Sequence, residues 1–216
     1  MGKRYYMVAE VLEMPEITNF YKQRIAEHGV GYKAMWGDEE SNRWKAFERF
    51  KIIEQDDLQA SDMLLDLGCG IGLLCEYLDK IKAKINYTGV DIVPEFLEQI
   101  EKNKYGKTIK ANFFADFDNL PQSDWLAIFG SINKKWLLGL EENNDVSGVY
   151  DWLKRCFERS RKGLFLSCFS SRADTPKPAN VHLDPVKLLD IFGSSLKSYR
   201  IRHDTQFYEF TMMASK

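Results

Sequence analysis

Between Met63 and Leu73 the chain reads Met-Leu-Leu-Asp-Leu-Gly-Cys-Gly-Ile-Gly-Leu, an apolar run that breaks into three alternating glycines and resumes with helical spacing. A strand, a tight turn and a helix are dictated in that order. Glycines at 68, 70 and 72 allow close approach of a ligand to the backbone, and the free N–H groups of the following helix start favour an anionic or polar group there.

Downstream of this turn, strand-like and helix-like segments alternate, which predicts a mostly parallel sheet with helices on both faces. The expected strands are Leu64 to Leu67, Tyr87 to Asp91, Ile109 to Ala115, Trp125 to Gly130 and Leu164 to Phe169. Helices are expected from Leu73 to Lys82, from Pro94 to about Lys104 and from Tyr150 to Ser160, interleaved with the five strands. Leu196 to His203 and Gln206 to Met213 are separated by too few residues for a crossover helix, so they predict a closing antiparallel pair. Ahead of the sheet, Pro15 to His28 and Asp38 to Gln55 carry helical spacing. In the second of these, Trp44, Phe47, Phe50 and Ile53 form one apolar stripe. The chain divides into a helical extension, residues 1–60, and an α/β core, residues 61–216.

Composition narrows the class. A length of 216 residues suits one domain with a small appendage. Thirty basic against thirty-two acidic residues give a net charge of −2, which argues against a nucleic-acid partner. The four cysteines form no Cys-x-x-Cys pair, so a zinc site is not expected. The absence of a long apolar run or leader-like amino terminus points to a cytoplasmic protein with reduced thiols.

Which nucleoside ligand fits the turn depends on spacing. A dinucleotide fingerprint would place a third glycine at 73, where the chain has Leu73. The arrangement of Asp66 followed by Gly68, Gly70 and Gly72 instead resembles motif I of the class I S-adenosylmethionine-dependent methyltransferases. Asp91 lies 25 residues beyond Asp66, where such folds place a carboxylate for the ribose hydroxyls. Its competing reading is a helix cap before Pro94. The resemblance covers roughly residues 60 to 214, because that family ends its Rossmann-like seven-stranded sheet with an antiparallel hairpin. It also implies that the amino-terminal helices form a lid, with the Gly29 to Gly37 loop as a gate.

The same resemblance implies a set of cofactor contacts for S-adenosylmethionine and its product S-adenosylhomocysteine. Gly68, Cys69, Gly70 and Gly72 would cradle the cofactor, with Asp66 before them and Asp91 and Ile92 at the second strand end. Asp116 and Phe117 would meet the adenine, with Asp118 a competing acid, and Gly130 would offer a carbonyl to the methionine ammonium. Trp36 and Arg49-Phe50 match a Trp and an Arg-Phe that precede motif I in small methyltransferases, making Arg49 a partner for the methionine carboxylate. A solvated arginine is the alternative.

Substrate-side groups are expected beyond strands four to six: Ser131 and Asn133, the loop from Ser170 to His182, and Arg202-His203-Asp204. His203, beside an acid able to orient its ring, and His182 are candidate general bases, with Asn133 the third candidate catalytic residue. Phe129-Gly130-Ser131-Ile132-Asn133 replaces the Asn/Asp-Pro-Pro-aromatic motif of enzymes that methylate base amines or glutamine. The resemblance therefore implies a small-molecule acceptor, methylated on the oxygen of a sugar, phosphorylated intermediate or secondary-metabolite precursor. Methylation at nitrogen, a nicotinamide-dependent reductase and a cofactor-binding protein without chemistry are the alternatives.

Overall fold

The computed structural model describes residues 14–37, 39–54, 57–103, 106–138, 140, 145–206 and 208–216. Three helices precede the sheet: α1 (Met14–His28), α2 (Tyr32–Trp36) and α3 (Trp44–Phe50). The segment expected as a loop from Gly29 to Gly37 thus contains a helix, closed by Gly37 in the left-handed region. The helix expected from Asp38 to Gln55 is shorter, a 3-10 turn at Glu40–Asn42 followed by α3. Its two outer ends, Asp38 and Gln55, lie outside the described residues, as does Lys104 at the end of another expected helix. Phe50 and Ile53 are buried, but Trp44 is 55% exposed, so the predicted stripe packs only from its second member onward.

The core then runs β1 (Met63–Leu67), α4 (Leu73–Lys80), β2 (Asn86–Asp91), α5 (Pro94–Lys102), β3 (Lys107–Lys110), β4 (Trp125–Phe129), α6 (Ser147–Arg159), β5 (Gly163–Ser170), β6 (His182–Leu183), α7 (Pro185–Phe192), β7 (Ser198–Gln206) and β8 (Glu209–Ser215). Seven strands follow the order β3-β2-β1-β4-β5-β8-β7, and the two-residue β6 pairs with β5 off this path. Strands β1 to β5 pair parallel with one another. β8 lies antiparallel to both β5 and β7, which is the closing hairpin that the short connection required.

One strand departs from expectation. β3 ends at Lys110, where its pairing with Asp91 ends, rather than at Ala115. The Asn112 carboxamide oxygen then accepts from the N–H groups of Phe114 (3.1 Å) and Ala115 (3.3 Å), turning the chain out of the sheet. A 3-10 turn at Phe117–Asn119 leads on toward β4.

Alternation along the strands builds the two layers of the core. Leu64, Ala127, Phe165 and Met213 face a cluster with Phe50 of α3, Leu74 and Leu78 of α4 and Leu97 of α5. Their neighbours Leu65, Leu126, Leu164 and Met212 face a second cluster with Trp152 and Leu153 of α6 and Leu188 of α7. Both faces are covered, which is why β1 and β4 read as continuous apolar runs. All four cysteines are buried and unbridged, Cys69 and Cys75 in the first cluster and Cys156 and Cys168 in the second. Among the described residues no helix is long and apolar enough to cross a membrane.

Candidate active site

Strand order reverses between β1 and β4, and in open parallel sheets that point opens a crevice at the carboxyl ends of the strands. A cavity of about 280 Å³ occupies this crevice. Gly68 and Gly70 after β1, Asp91 and Ile92 after β2, Asn112, Phe113 and Phe114 after β3, and Phe129 to Ser131 with Asn133 and Lys134 after β4 line it. Phe169 and Tyr208 close it from β5 and the hairpin, and Ile17, Tyr21, Tyr32, Met35, Trp36, Lys45 and Arg49 of the amino-terminal segment cover it.

The glycine turn and its cover are fitted to each other. A Cβ on Gly70 would collide with the Met35 sulfur, and one on Gly130 with the Trp36 ring, while both glycines hold positive φ. A side chain at either position would force Met35 or Trp36 of α2 to move. Asp91 is 8% exposed and joins the turn to the next helix: one carboxylate oxygen accepts from Gly70 N–H at 2.8 Å and the other from Val93 N–H at 2.9 Å. Burial pushes its carboxyl above the ordinary range, and these N–H groups oppose that shift. Asp91 thus bonds Val93, the residue before α5, while also lining the cavity.

Arg49 is not the solvated side chain of the alternative reading. It is buried, its Nε donates to Glu209 Oε1 at 2.5 Å, and its guanidinium lies 4.8 Å from the Trp36 ring centroid. Burial is the largest influence on this guanidinium and works against its charge. The Glu209 carboxylate outweighs it and holds Arg49 above its usual range. Arg49 Nη1 is buried without a protein partner, as are the Trp36 indole nitrogen and both amide atoms of Asn133. Buried donors without partners are uncommon, and here they belong to three residues that line one cavity.

Several expected site residues stand elsewhere. Asp66 and Cys69 miss the main cavity and border a smaller one of about 30 Å³ beneath Trp36 and Arg49. The Asp66 carboxylate accepts from the Tyr87 hydroxyl at 2.7 Å, tying β1 to β2. Gly72 does not line the cavity; a Cβ there would meet Ile100 at 2.7 Å, so this glycine serves the packing of the turn on α5. Asp116 accepts from Asn112 N–H at 2.9 Å, and Phe117 is buried against Trp152. Neither lines the cavity, because the early end of β3 puts Asn112 to Phe114 at the strand tip in their place. His182 has both ring nitrogens 3.1 Å from main-chain oxygens, those of Ser170 and Lys177, and does not line the cavity. His203 is exposed on β7, and the acid expected to orient it, Asp204, accepts instead from Arg202 at 3.1 and 3.2 Å.

Asn112, Lys134, Phe169, Tyr208 and Glu209 were missed as site residues. The Asn112-Phe113-Phe114 triplet carried a usable signal, an asparagine that can end a strand followed by two aromatics. Glu209 carried none, since its partner Arg49 is 160 residues away in sequence.

Burial raises the Asp66 carboxyl to about 7, from an ordinary value of 3.8. The folded state therefore holds a proton that the unfolded chain releases above about pH 4, and stability from this group falls as pH rises from about 4 to about 7. Chemical denaturation across that interval is expected to show a steeper loss for the wild type than for Asp66→Asn, which cannot ionise; parallel profiles would contradict the assignment.

Residues 64–135 match the family model described as a methyltransferase domain. Rv1506c of Mycobacterium tuberculosis, provisionally named a methyltransferase, is 29% identical over 161 residues, covering 70% of this chain and 91% of that protein. Magnesium protoporphyrin IX methyltransferase from Synechocystis PCC 6803, solved with bound S-adenosylhomocysteine, shares the fold with a TM-score of 0.62 at 13% identity, over 94% of this chain and 98% of that one. A Leishmania major S-adenosylmethionine-dependent methyltransferase superposes with a TM-score of 0.63 at 17% identity, over 100% of this chain and 87% of that one. Human N-acetylserotonin methyltransferase, solved with S-adenosylmethionine, gives 0.57 at 14% identity, covering 100% of this chain and 68% of that one. The methyltransferase-domain match, the relative and the shared fold together support a class I S-adenosylmethionine-dependent methyltransferase.

Proposed function

We propose that the protein transfers a methyl group to a hydroxyl oxygen of a small molecule held between Asn133, Phe169 and Tyr208. The observation that carries this reading is Asn133, 3% exposed and lining the cavity with both amide atoms unpaired. A carboxamide can accept from the acceptor's O–H and donate to a neighbouring oxygen, fixing its direction. The charge at this end of the cavity favours oxygen over nitrogen. Lys134 lines it with a neutral carboxamide as its side-chain partner, and an alkylammonium acceptor would meet like charge there.

The residues fit the cofactor. The turn at Gly68 and Gly70 admits its backbone-hugging part, Asp91 offers carboxylate oxygens to the ribose, and Arg49 Nη1 offers an unpaired donor to the methionine carboxylate. Ile92, Asn112, Phe113 and Phe114 would surround the adenine, and Gly130 would present its carbonyl to the ammonium. S-adenosylmethionine supplies an already activated methyl group. The protein's task is then to align the acceptor, and positioning of this kind contributes roughly 7–11 kcal/mol. No histidine lines the cavity among the described residues. In this reading α1 to α3 act as the lid over residues 61–216.

Methyl-labelled S-adenosylmethionine offered with a panel of sugars, phosphorylated sugars and hydroxy acids is expected to label an oxygen. Label on nitrogen would replace the reading with N-methylation. Asn133→Ala should lower kcat/KM roughly 10-fold or more, the value of one lost hydrogen bond of about 1.4 kcal/mol. S-adenosylhomocysteine affinity should stay within a few fold. His203→Ala should leave kcat/KM within about twofold; a large loss would return His203 to the catalytic set.

A further inference from the structure

The acceptor end of the cavity carries an imbalance of charge. Its position in the sheet separates it from the cofactor contacts: β3 and β2 lie on one side of the glycine turn, and β4, β5 and the hairpin on the other. The charged residues lining the whole cavity are Lys45, Arg49, Asp91 and Lys134. Asp91 belongs to the β2 side and is engaged by two N–H groups. Arg49 is balanced by Glu209.

Lys134 is not balanced by an acid. Its Nζ donates to the neutral Asn180 carboxamide at 3.0 Å, and among the described residues no carboxylate comes within ion-pair reach of it. Partial burial, and secondarily the like charge of Lys177, hold its ammonium below the usual range. Two backbone links fix it in place, the Lys134–Asn180 bridge and the bond from Val181 N–H to the Asn133 carbonyl at 3.0 Å. Lys134 is thus held beside Asn133, at the end of the cavity walled by Phe169 and Tyr208, whose rings meet edge to face at 5.5 Å.

We infer that the methyl acceptor carries an anionic group, a carboxylate or a phosphate, which pairs with Lys134 while its hydroxyl-bearing ring or chain packs on Phe169 and Tyr208. A cation held beside another cation, against a neutral partner, gains from an anion that accepts a charge-assisted hydrogen bond from it. The inference rests on the methyltransferase reading of the same cavity.

The test uses the full chain saturated with S-adenosylhomocysteine, its lysines reductively methylated with 13C, which preserves their charge. Inorganic phosphate and benzoate are then titrated separately while the lysine signals are followed by NMR. Saturable movement of the Lys134 signal by either anion is expected, and the anion that acts identifies phosphate or carboxylate as the group. Lys134→Met should weaken that anion at least 10-fold while S-adenosylhomocysteine affinity, measured by calorimetry, changes less than threefold. Bound S-adenosylhomocysteine with neither anion moving Lys134, or with Lys134→Met binding anions as the wild type does, overturns the inference alone. Failure of S-adenosylhomocysteine to bind at all overturns the underlying cofactor assignment, and the inference with it.

Discussion

Asp91→Ala is expected to weaken S-adenosylhomocysteine binding by roughly 100-fold, because two losses coincide. The variant removes the carboxylate assigned to the ribose hydroxyls, a charged hydrogen-bonding group worth about 1.5–3 kcal/mol per bond. It also strips the Gly70 and Val93 N–H groups of the acceptor that holds the glycine turn against the start of α5. Asp91→Asn separates the two, since one carboxamide oxygen can serve only one of the N–H groups and the amide nitrogen repels the other. Isothermal calorimetry on both variants, with the thermal midpoint measured in parallel, provides the check. Native affinity in a folded Asp91→Ala protein would remove the ribose assignment and leave Asp91 as a backbone clasp.

The second large effect is expected at the buried pair of Arg49 and Glu209. Glu209 is fully buried and Arg49 nearly so. Glu209→Leu would leave an uncompensated guanidinium between α3 and β8, at a cost of about 3–5 kcal/mol in unfolding free energy. The double variant Arg49→Met/Glu209→Leu removes both charges and should recover most of that loss, as apolar replacements of buried pairs often do. Cofactor affinity should not recover with it, because Arg49 Nη1 is the donor assigned to the methionine carboxylate. Urea denaturation and S-adenosylhomocysteine titration of the three proteins give the result. A double variant that binds as the wild type does would show that Arg49 is structural only.

The succession of strands in a mostly parallel sheet and the closing hairpin were legible because the connection lengths leave little choice. The two residues between His203 and Gln206 cannot carry a crossover helix, and the apolar runs flanked by glycine and proline mark strands buried on both faces. That Gly68, Gly70, Asp91, Ile92 and Gly130 would stand together along one cavity was legible for the same reason: they follow strand ends whose positions the pattern reveals. What failed depended on where a strand stops. Ile109 to Ala115 is apolar enough to continue β3, but the Asn112 side chain captures the Phe114 and Ala115 N–H groups and ends it early. That shift moved the third tip from Asp116 to Asn112. The histidines stand away from the cavity because adjacency in sequence is not adjacency in space. Asp204 follows His203 in the chain, yet along a strand successive side chains point to opposite faces, and Asp204 pairs with Arg202.

The distribution of cysteines turns the fold into its own reporter. Two thiols lie in the layer beneath α3 and α4 and two in the layer beneath α6 and α7, all shielded from solvent. A thiol-blocking reagent can therefore reach Cys69 or Cys75 only when the first layer parts, and Cys156 or Cys168 only when the second does. Mass spectrometry of partially labelled chains would then time the opening of each half of the core separately, with no foreign probe introduced. Cys69 stands within the cofactor turn itself, so its protection by added S-adenosylhomocysteine would distinguish local breathing of the cradle from opening of the whole layer.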